Sequence, residues 1–355
     1  MERRSEGVRL APYTTLRLGG PAKAFAEAAT AEEIVRLVAD ADRAGEPVLV
    51  LGGGSNLVLA DDGFDGLVVR VASTGVTVVE DGGRVLLTAE AGEDWDALVR
   101  RCVTEGWSGV ECLSGIPGLV GSTPIQNVGA YGQDVSQTVV SVRVYDRRRA
   151  DVLDLPAASC GFSYRHSAFK DALDRYVVLA VTYALERSPM SGPIAYAELA
   201  TRLGVTLGDR VRLTEARTAV LELRRSKGMV LDPDDPDTCS AGSFFTNPVL
   251  TAAEAADLEA RVPGYPRWEM GEGAVKVPAA WLIEHAGFPK GYRRGPVRIS
   301  TKHTLALTHP GGRGGAHDRA TTADLLALAR EVRDGVEAKF GVRLVNEPVM
   351  IGVTL

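Results

Sequence analysis

Ile34, Leu37, Val38 and Ala41 recur at helical spacing and give the segment 31–45 one apolar stripe. Thr30 stands at its start with Glu33 three positions on, the spacing of a capping box, and Gly45 marks its end. The segment EPVLVLGGGSN then predicts a buried strand running into a glycine turn. Further strands are predicted at 66–71, 76–80 and 84–92, and a helix at 94–106 with Asp94 as its cap. The alternation is that of a βαβ unit followed by a strand-rich region.

The pattern then changes. SGIPGLVGSTPIQNVGAYGQ (114–133) holds five glycines and two prolines and shows neither period, so it is expected as one long irregular loop. Loops of that length inside compact domains are usually functional. Strands are predicted at 139–146 and 176–185, either side of the polar and aromatic segment 160–170. ERSPMSGPI (186–194) reads as a linker or surface loop. A helix over 214–228, a polar irregular stretch over 231–249, a short helix over 279–287 and a strand over 299–309 follow, and 309–319 reads as a flexible surface loop. Thr322 is expected to cap a last helix with Leu325, Leu328, Val332, Val336 and Phe340 on one face and Gly341 as its stop, before a final strand over 342–355. No repeat of solenoid length is present.

Composition narrows the class. Of 355 residues 45% are hydrophobic and 24% charged, which excludes a mostly disordered chain. The net charge of −6, with Arg147–Arg149 as the one dense basic run, argues against a nucleic-acid partner. No apolar run approaches the ~18 residues of a membrane span, and the first residues lack the apolar core of a signal peptide. Cys102, Cys112, Cys160 and Cys239 show no CxxC spacing, and the five histidines form no HxxxH, so free thiols and no metal site are expected. These features suit a soluble cytoplasmic protein.

The candidate chemistry lies in five places. Successive glycines in GGGSN allow backbone N–H groups to converge on one anion, with Ser55 and Asn56 as short donors. A phosphate or pyrophosphate site and a plain tight turn both fit this segment alone. Leu57 stands at the third position of the GxGxxG fingerprint, which disfavours a nicotinamide Rossmann site. With the second glycine-rich loop, an elongated dinucleotide held at two points becomes the better reading, and FAD held non-covalently is the first candidate. Arg165, in SYRHSAFK, has the fork geometry for a carboxylate but equally suits tying down its own loop. Ser243, in AGSFFTNP, lies beside an apolar flank without a GxSxG elbow, so either a turn serine or a hydroxyl acting on substrate fits. Glu347, in LVNEPVMIG, is a carboxylate in an apolar context, paired with an Arg or functional.

Taken together these segments resemble the UDP-N-acetylenolpyruvoylglucosamine reductases, the MurB family. The blocks that carry the resemblance are TTLRLGGPA, LGGGSNLVL, SGIPGLVGSTPIQNVGAYGQ, YRHSAFK, RRSKG, AGSFFTNP, VPAAWLIEHAG and NEPVMIG, in family order along almost the whole chain. The resemblance implies an α+β protein of the vanillyl-alcohol-oxidase/PCMH-like FAD-binding fold. Residues 1–75 would form a first FAD-binding subdomain completed by 343–355, 76–225 a second, and 226–342 a C-terminal α+β substrate-binding domain. It implies that NADPH reduces the flavin, and that hydride from flavin N5 then reduces the enolpyruvyl ether of a UDP-sugar, giving UDP-N-acetylmuramate for peptidoglycan synthesis.

By the same resemblance Arg165 would grip the substrate carboxylate, Glu347 would polarise it as an acid or through a water, and Ser243 would give the proton to the carbanionic carbon. Gly52, Gly53, Gly54, Ser55 and Asn56 would meet the FAD pyrophosphate, with Gly115, Ile116, Pro117, Gly118, Gly121 and Ser122 nearby. Tyr131, Tyr164, Lys227 and Asn247 would line the UDP-sugar site. The GPIAYAELATRLG segment resembles the extra loop of one family type, which would bring Tyr196 over the diphosphate. His285 stands where the family commonly has Gln at a substrate contact, and Thr14 where Asn is common. The protein is expected to act as a monomer. Two other readings remain at this stage: an FAD-dependent oxidase of the same fold on another substrate, and a nucleotide-sugar-binding module without turnover. The GSFF.NP block, Lys227 and Glu347 discriminate against the first, and idle glycine loops against the second.

Overall fold

Two compact units make up the computed structural model, which describes residues 4–310 and 320–355. One unit takes the chain up to Val8, Ala22–Gly53 and Asp65–Val230; the other takes Arg9–Pro21, Gly54–Phe64 and Leu231–Leu355. The chain therefore passes from the first to the second inside the GGGSN run.

In the first unit a four-stranded sheet runs in the order Ser5–Arg9, Pro21–Ala28, Phe64–Val71, Val48–Leu51, the last pair parallel. The helix Ala31–Ala44 packs Ile34, Leu37, Val38 and Ala41 against it. Its ends follow from the sequence. Thr30 Oγ1 accepts from the Glu33 N–H at 3.2 Å, and Gly45 closes the last turn at φ 66°. Glu33 reaches back past the cap residue, to the Ala29 N–H at 2.7 Å. A second sheet is antiparallel throughout, in the order Asp151–Pro156, Val139–Asp146, Tyr176–Arg187, Arg84–Glu90, Val76–Asp81. The helix Trp95–Glu105, capped by Asp94, covers it. Two more helices, Ala197–Leu203 and Leu213–Ser226, close a small core around Leu199, Ala216 and Val220.

In the second unit the helix Thr322–Phe340 buries Leu325, Leu328, Val332, Val336 and Phe340, and Gly341 ends it at φ 71°. Two three-stranded sheets, Val249–Leu250 with Ala274–Lys276 and Trp268–Gly271, and Arg293–Arg294 with Val297–Ile299 and Leu307–Thr308, pack into the same core. Val349–Ile351 pairs in parallel with Leu57–Leu59.

Several expectations need correction. The segment 114–133 is not one irregular loop: it contains the helical turn Thr123–Gln126 and a hairpin of Gly129–Ala130 with Gln133–Asp134. The strand Asp151–Pro156 went unseen because its side chains are largely exposed on the sheet edge. The segment 186–194 is tied down, with Ser191 and Ile194 buried and their N–H groups bonded to Val211 and Asp209 carbonyls. The strand expected at 299–309 is two, Val297–Ile299 and Leu307–Thr308, folded back on each other. Thr321, not Thr322, caps the last helix. Of 342–355 only Val349–Ile351 is strand. The loop expected at 309–319 lies almost wholly outside the described residues. All four cysteines are buried and free.

Candidate active site

In the first unit the two glycine-rich loops meet. A methyl group added at Gly53 would lie 2.7 Å from the Gly118 Cα, and one at Gly52 would lie 2.8 Å from Ser122 Oγ. At Gly53 the obstacle is main chain, so only glycine fits and the two backbones themselves form the contact; at Gly52 it is the Ser122 side chain. The Gly115 N–H donates to Asp96 Oδ1 at 2.6 Å, and Arg217 holds the same carboxylate by two bonds of 2.7 and 2.8 Å. The loop is thereby fixed to the helices Trp95–Glu105 and Leu213–Ser226. Ile116, Pro117 and Gly118 remain partly exposed, and Gly121 is buried against Ala91. A cradle of this kind, close-packed backbone without side-chain bulk, fits a dinucleotide cofactor.

Two candidate residues occupy strained turn tips. Tyr131 and Gly132 link the hairpin strands at φ 50° and 87°, the signature of a type I′ turn. Tyr164 and Arg165 link Ser163 to His166, with Arg165 at φ 55°. A non-glycine residue in that region costs about 1–3 kcal/mol, and such residues cluster at functional sites. The Arg165 turn is laced to the 123–130 segment. Arg165 Nη2 donates to Gly129 O at 2.6 Å, Asn127 Nδ2 to Ser163 O at 2.9 Å, and Ser167 Oγ to Ile125 O at 2.7 Å. Lys170 Nζ donates to Gln126 Oε1 at 2.9 Å.

Beside these turns lies a cationic and aromatic patch. Tyr131 meets Tyr196 edge to face at 5.5 Å, and the Lys227 ammonium sits 5.8 Å from the Tyr131 ring centre. Lys227 also pairs with Glu198 at 2.6 Å. Burial pushes the Tyr131 hydroxyl up to about 12 and raises Tyr196 as well. Arg224, one helical turn before Lys227, escaped the sequence reading. Burial pulls its guanidinium down to about 10, Tyr131 and Asp96 pull the other way, and Arg165 adds repulsion. Its Nε is buried without a hydrogen-bond partner. The sequence signal was present in RRSKG, where Arg224 and Lys227 are spaced by three and share a helix face. Arg165, Tyr131, Tyr164, Tyr196 and Lys227 thus fall in one unit, around an excess of positive charge.

The second unit brings Ser243 and Glu347 together. Residues 243–245 lie extended between two neighbours: Ser243 bridges Ala306, Phe245 bridges Asn346, and the Glu347 N–H donates to Phe244 O at 2.9 Å. Phe244 and Phe245 are fully buried, which clamps the segment and leaves Ser243 half-buried at its start. Glu347 is also half-buried, in the stretch that precedes the terminal strand and not inside it. Asn247 Oδ1 accepts from the Ala279 N–H at 2.9 Å at the start of the helix Ala279–His285. His285 stacks on Trp281 at 4.0 Å and its Nδ1 lies 2.8 Å from Trp281 O. Gly54, Ser55 and Asn56 fall in this unit; the Gly54 carbonyl accepts from Thr15 N and the Asn56 carbonyl from Val349 N. Among the described residues no cluster of His, Cys, Asp and Glu could hold a metal ion.

Comparison with known proteins gives matches along the chain. A family model described as the C-terminal domain of UDP-N-acetylenolpyruvoylglucosamine reductase matches residues 234–351, and one described as an FAD binding domain matches 22–155. The chain is 61% identical to the UDP-N-acetylenolpyruvoylglucosamine reductase of Thermobifida fusca, with 99% of each chain covered. It is 56% identical to that of Streptomyces coelicolor, covering 98% of this chain and 90% of the other. Among solved structures it superposes on the reductase (MurB) from Thermus caldophilus with a TM-score of 0.67 at 25% identity, covering 99% of this chain and all of that one.

Proposed function

The chain belongs to the UDP-N-acetylenolpyruvoylglucosamine reductases, and from that premise we propose which of its residues carry the reaction. It is a flavoenzyme that uses NADPH to reduce the enolpyruvyl ether of UDP-N-acetylglucosamine enolpyruvate to UDP-N-acetylmuramate. It has the α+β FAD-binding fold with a C-terminal domain of the family's own kind.

Bound FAD, reduced by NADPH, supplies the hydride that adds to the CH₂ carbon of the enolpyruvyl group. The close contact of Gly53 with Gly118 supports placing the pyrophosphate on the two glycine loops, at Gly52–Gly54, Ser55 and Asn56 on one side and Gly115–Gly118, Gly121 and Ser122 on the other. As the hydride arrives, the electron pair of the alkene moves to the ether-bearing carbon and into the adjacent carboxylate. Arg165 pairs with that carboxylate, and its turn conformation points to selection for chemistry over stability. Glu347 polarises the same group. Ser243 delivers its hydroxyl proton to the carbanionic carbon, which completes the lactyl ether. Tyr131, Tyr164, Tyr196 and Lys227 line the nucleotide-sugar site, with Asn247 and His285 as contacts contributed by the C-terminal part. Functionally the chain divides into 1–75 with 343–355, 76–225 and 226–342.

The observation that carries this reading is the backbone pairing that sets Ser243 and Glu347 on adjoining segments against a buried Phe pair. Groups that share a reacting centre need that kind of rigid spacing. Among the described residues no helix is long and apolar enough to cross a membrane. We place the protein in the cytoplasm, acting as a monomer and without a nucleic-acid partner. An anaerobic titration tests the whole. NADPH should bleach the yellow protein, and one equivalent of the enolpyruvyl UDP-sugar should restore its colour. Colour that stays bleached with this substrate but returns with a simple keto acid would overturn the reading.

A further inference from the structure

Glu111 is a carboxylate with no solvent exposure in the first unit, outside every role assigned above. Its oxygens accept three N–H groups from three separate stretches of chain. Oε2 takes the Gly109 N–H at 2.7 Å, and Oε1 takes the Gly192 N–H at 2.8 Å and Gln133 Nε2 at 3.0 Å. Gln133 Oε1 in turn accepts from Cys112 N at 2.8 Å. Burying a carboxylate is costly even when it is hydrogen-bonded. A glutamine would fill the same space, but its NH₂ group would face an N–H donor on one side or the other. Only a carboxylate accepts from both sides at once.

The two longer-range donors share a destination. Gln133 follows directly on the Tyr131–Gly132 turn, and Gly192 begins the segment that leads to Tyr196. These stretches touch just beyond the carboxylate, where a methyl group on Gly132 would lie 2.9 Å from the Ala195 Cβ. Tyr131 precedes Gly132 and Tyr196 follows Ala195, and the two rings meet at 5.5 Å. Tyr196 itself starts the helix Ala197–Leu203 without a side-chain cap, and between it and Gly192 the Ile194 N–H is bonded to the Asp209 carbonyl.

We propose that Glu111 is a positioning residue for the nucleotide: its carboxylate clamps the Tyr131 hairpin to the Gly192–Tyr196 segment and so sets the tyrosine pair that grips the UDP group. This rests on the reading that Tyr131 and Tyr196 line the UDP-sugar site.

UDP binding to the flavin-loaded protein tests it, read as a dissociation constant by calorimetry, with visible flavin absorbance and melting temperature as checks on the fold. Glu111→Gln should weaken UDP binding about tenfold, the size of one lost hydrogen bond to a charged group. Gln133→Met, which removes one donor and leaves the carboxylate, should weaken it less but in the same direction; it carries the test if Glu111→Gln fails to fold. Tyr196→Ala should weaken binding too, and adding Glu111→Gln to it should cost little more, because the two act through one contact. Full additivity of the two losses, or normal UDP affinity in Gln133→Met and Glu111→Gln beside a weakened Tyr196→Ala, overturns the proposal. Normal affinity in Tyr196→Ala overturns instead the tyrosine reading beneath it.

Discussion

Ser243 and Arg165 illustrate what single positions contribute. A hydroxyl is a weak acid, but the carbon that Ser243 is proposed to protonate is a strong base at the moment of transfer, so position matters more than acidity. Ser243→Ala should therefore leave flavin reduction by NADPH near normal and slow reoxidation by the enolpyruvyl UDP-sugar about 10²–10⁴-fold, the usual range for a lost proton donor. Stopped-flow measurement of the two half-reactions separates them, and equal losses in both would remove Ser243 from that role. Both readings of Arg165 open in the sequence find support in its surroundings. One arm is bonded to Gly129 O, as a loop-tying arginine would be, yet the residue adopts a φ that asparagine or glycine would adopt at lower cost. That strain could not be read from SYRHSAFK, because nothing in a linear sequence marks a turn whose residue type disagrees with its conformation. Arg224 was legible only in part: its spacing with Lys227 shows in RRSKG, but its burial without a partner for Nε is a property of the folded neighbourhood.

At the scale of elements, legibility followed length and capping. The helices at 31–44, 95–105 and 322–340 were readable because three or more turns display the apolar stripe and each end carries its own chemistry. The helical turn Thr123–Gln126 and the two-residue strands around Tyr131 are shorter than any period, so 114–133 read as irregular. The strand Asp151–Pro156 failed for a different reason. It lies on the sheet edge with little to bury, so its alternation has no strong hydrophobic contrast. The two glycine loops were recognisable by composition, but that they touch was not. Their contact leads to a prediction. Gly53→Ala drives a methyl into the Gly118 backbone, where no side chain can swing aside. Flavin affinity should drop about tenfold or more for the ~1–3 kcal/mol of overpacking. A purified variant with full flavin absorbance would show that the loops do not hold the cofactor.

For the molecule as a whole, stability should carry an acid-sensitive component located at Asp96. Burial alone would raise the pKa of this carboxyl. The hydrogen bonds from Arg217 and the Gly115 N–H outweigh burial, and the net shift is downward. A carboxyl depressed on folding contributes stability above its unfolded pKa of about 3.9 and loses it as pH falls through the lower folded value. Asp96→Asn should therefore melt below the parent protein at neutral pH, and the gap should close on acidification through that range. A gap that persists unchanged at low pH would place the stabilisation elsewhere. Because Asp96 also holds Gly115, the same variant links the stability of the fold to the geometry of the cofactor loop.

Leu57–Leu59 and Val349–Ile351 come from nearly opposite ends of the sequence, yet they are bonded side by side. During synthesis the earlier strand emerges long before its mate and must wait with an open edge. Entropy of closing so large a loop makes this step slow, so this pairing is expected late in folding. A nascent chain paused anywhere between the two strands is the species that chaperones are expected to meet.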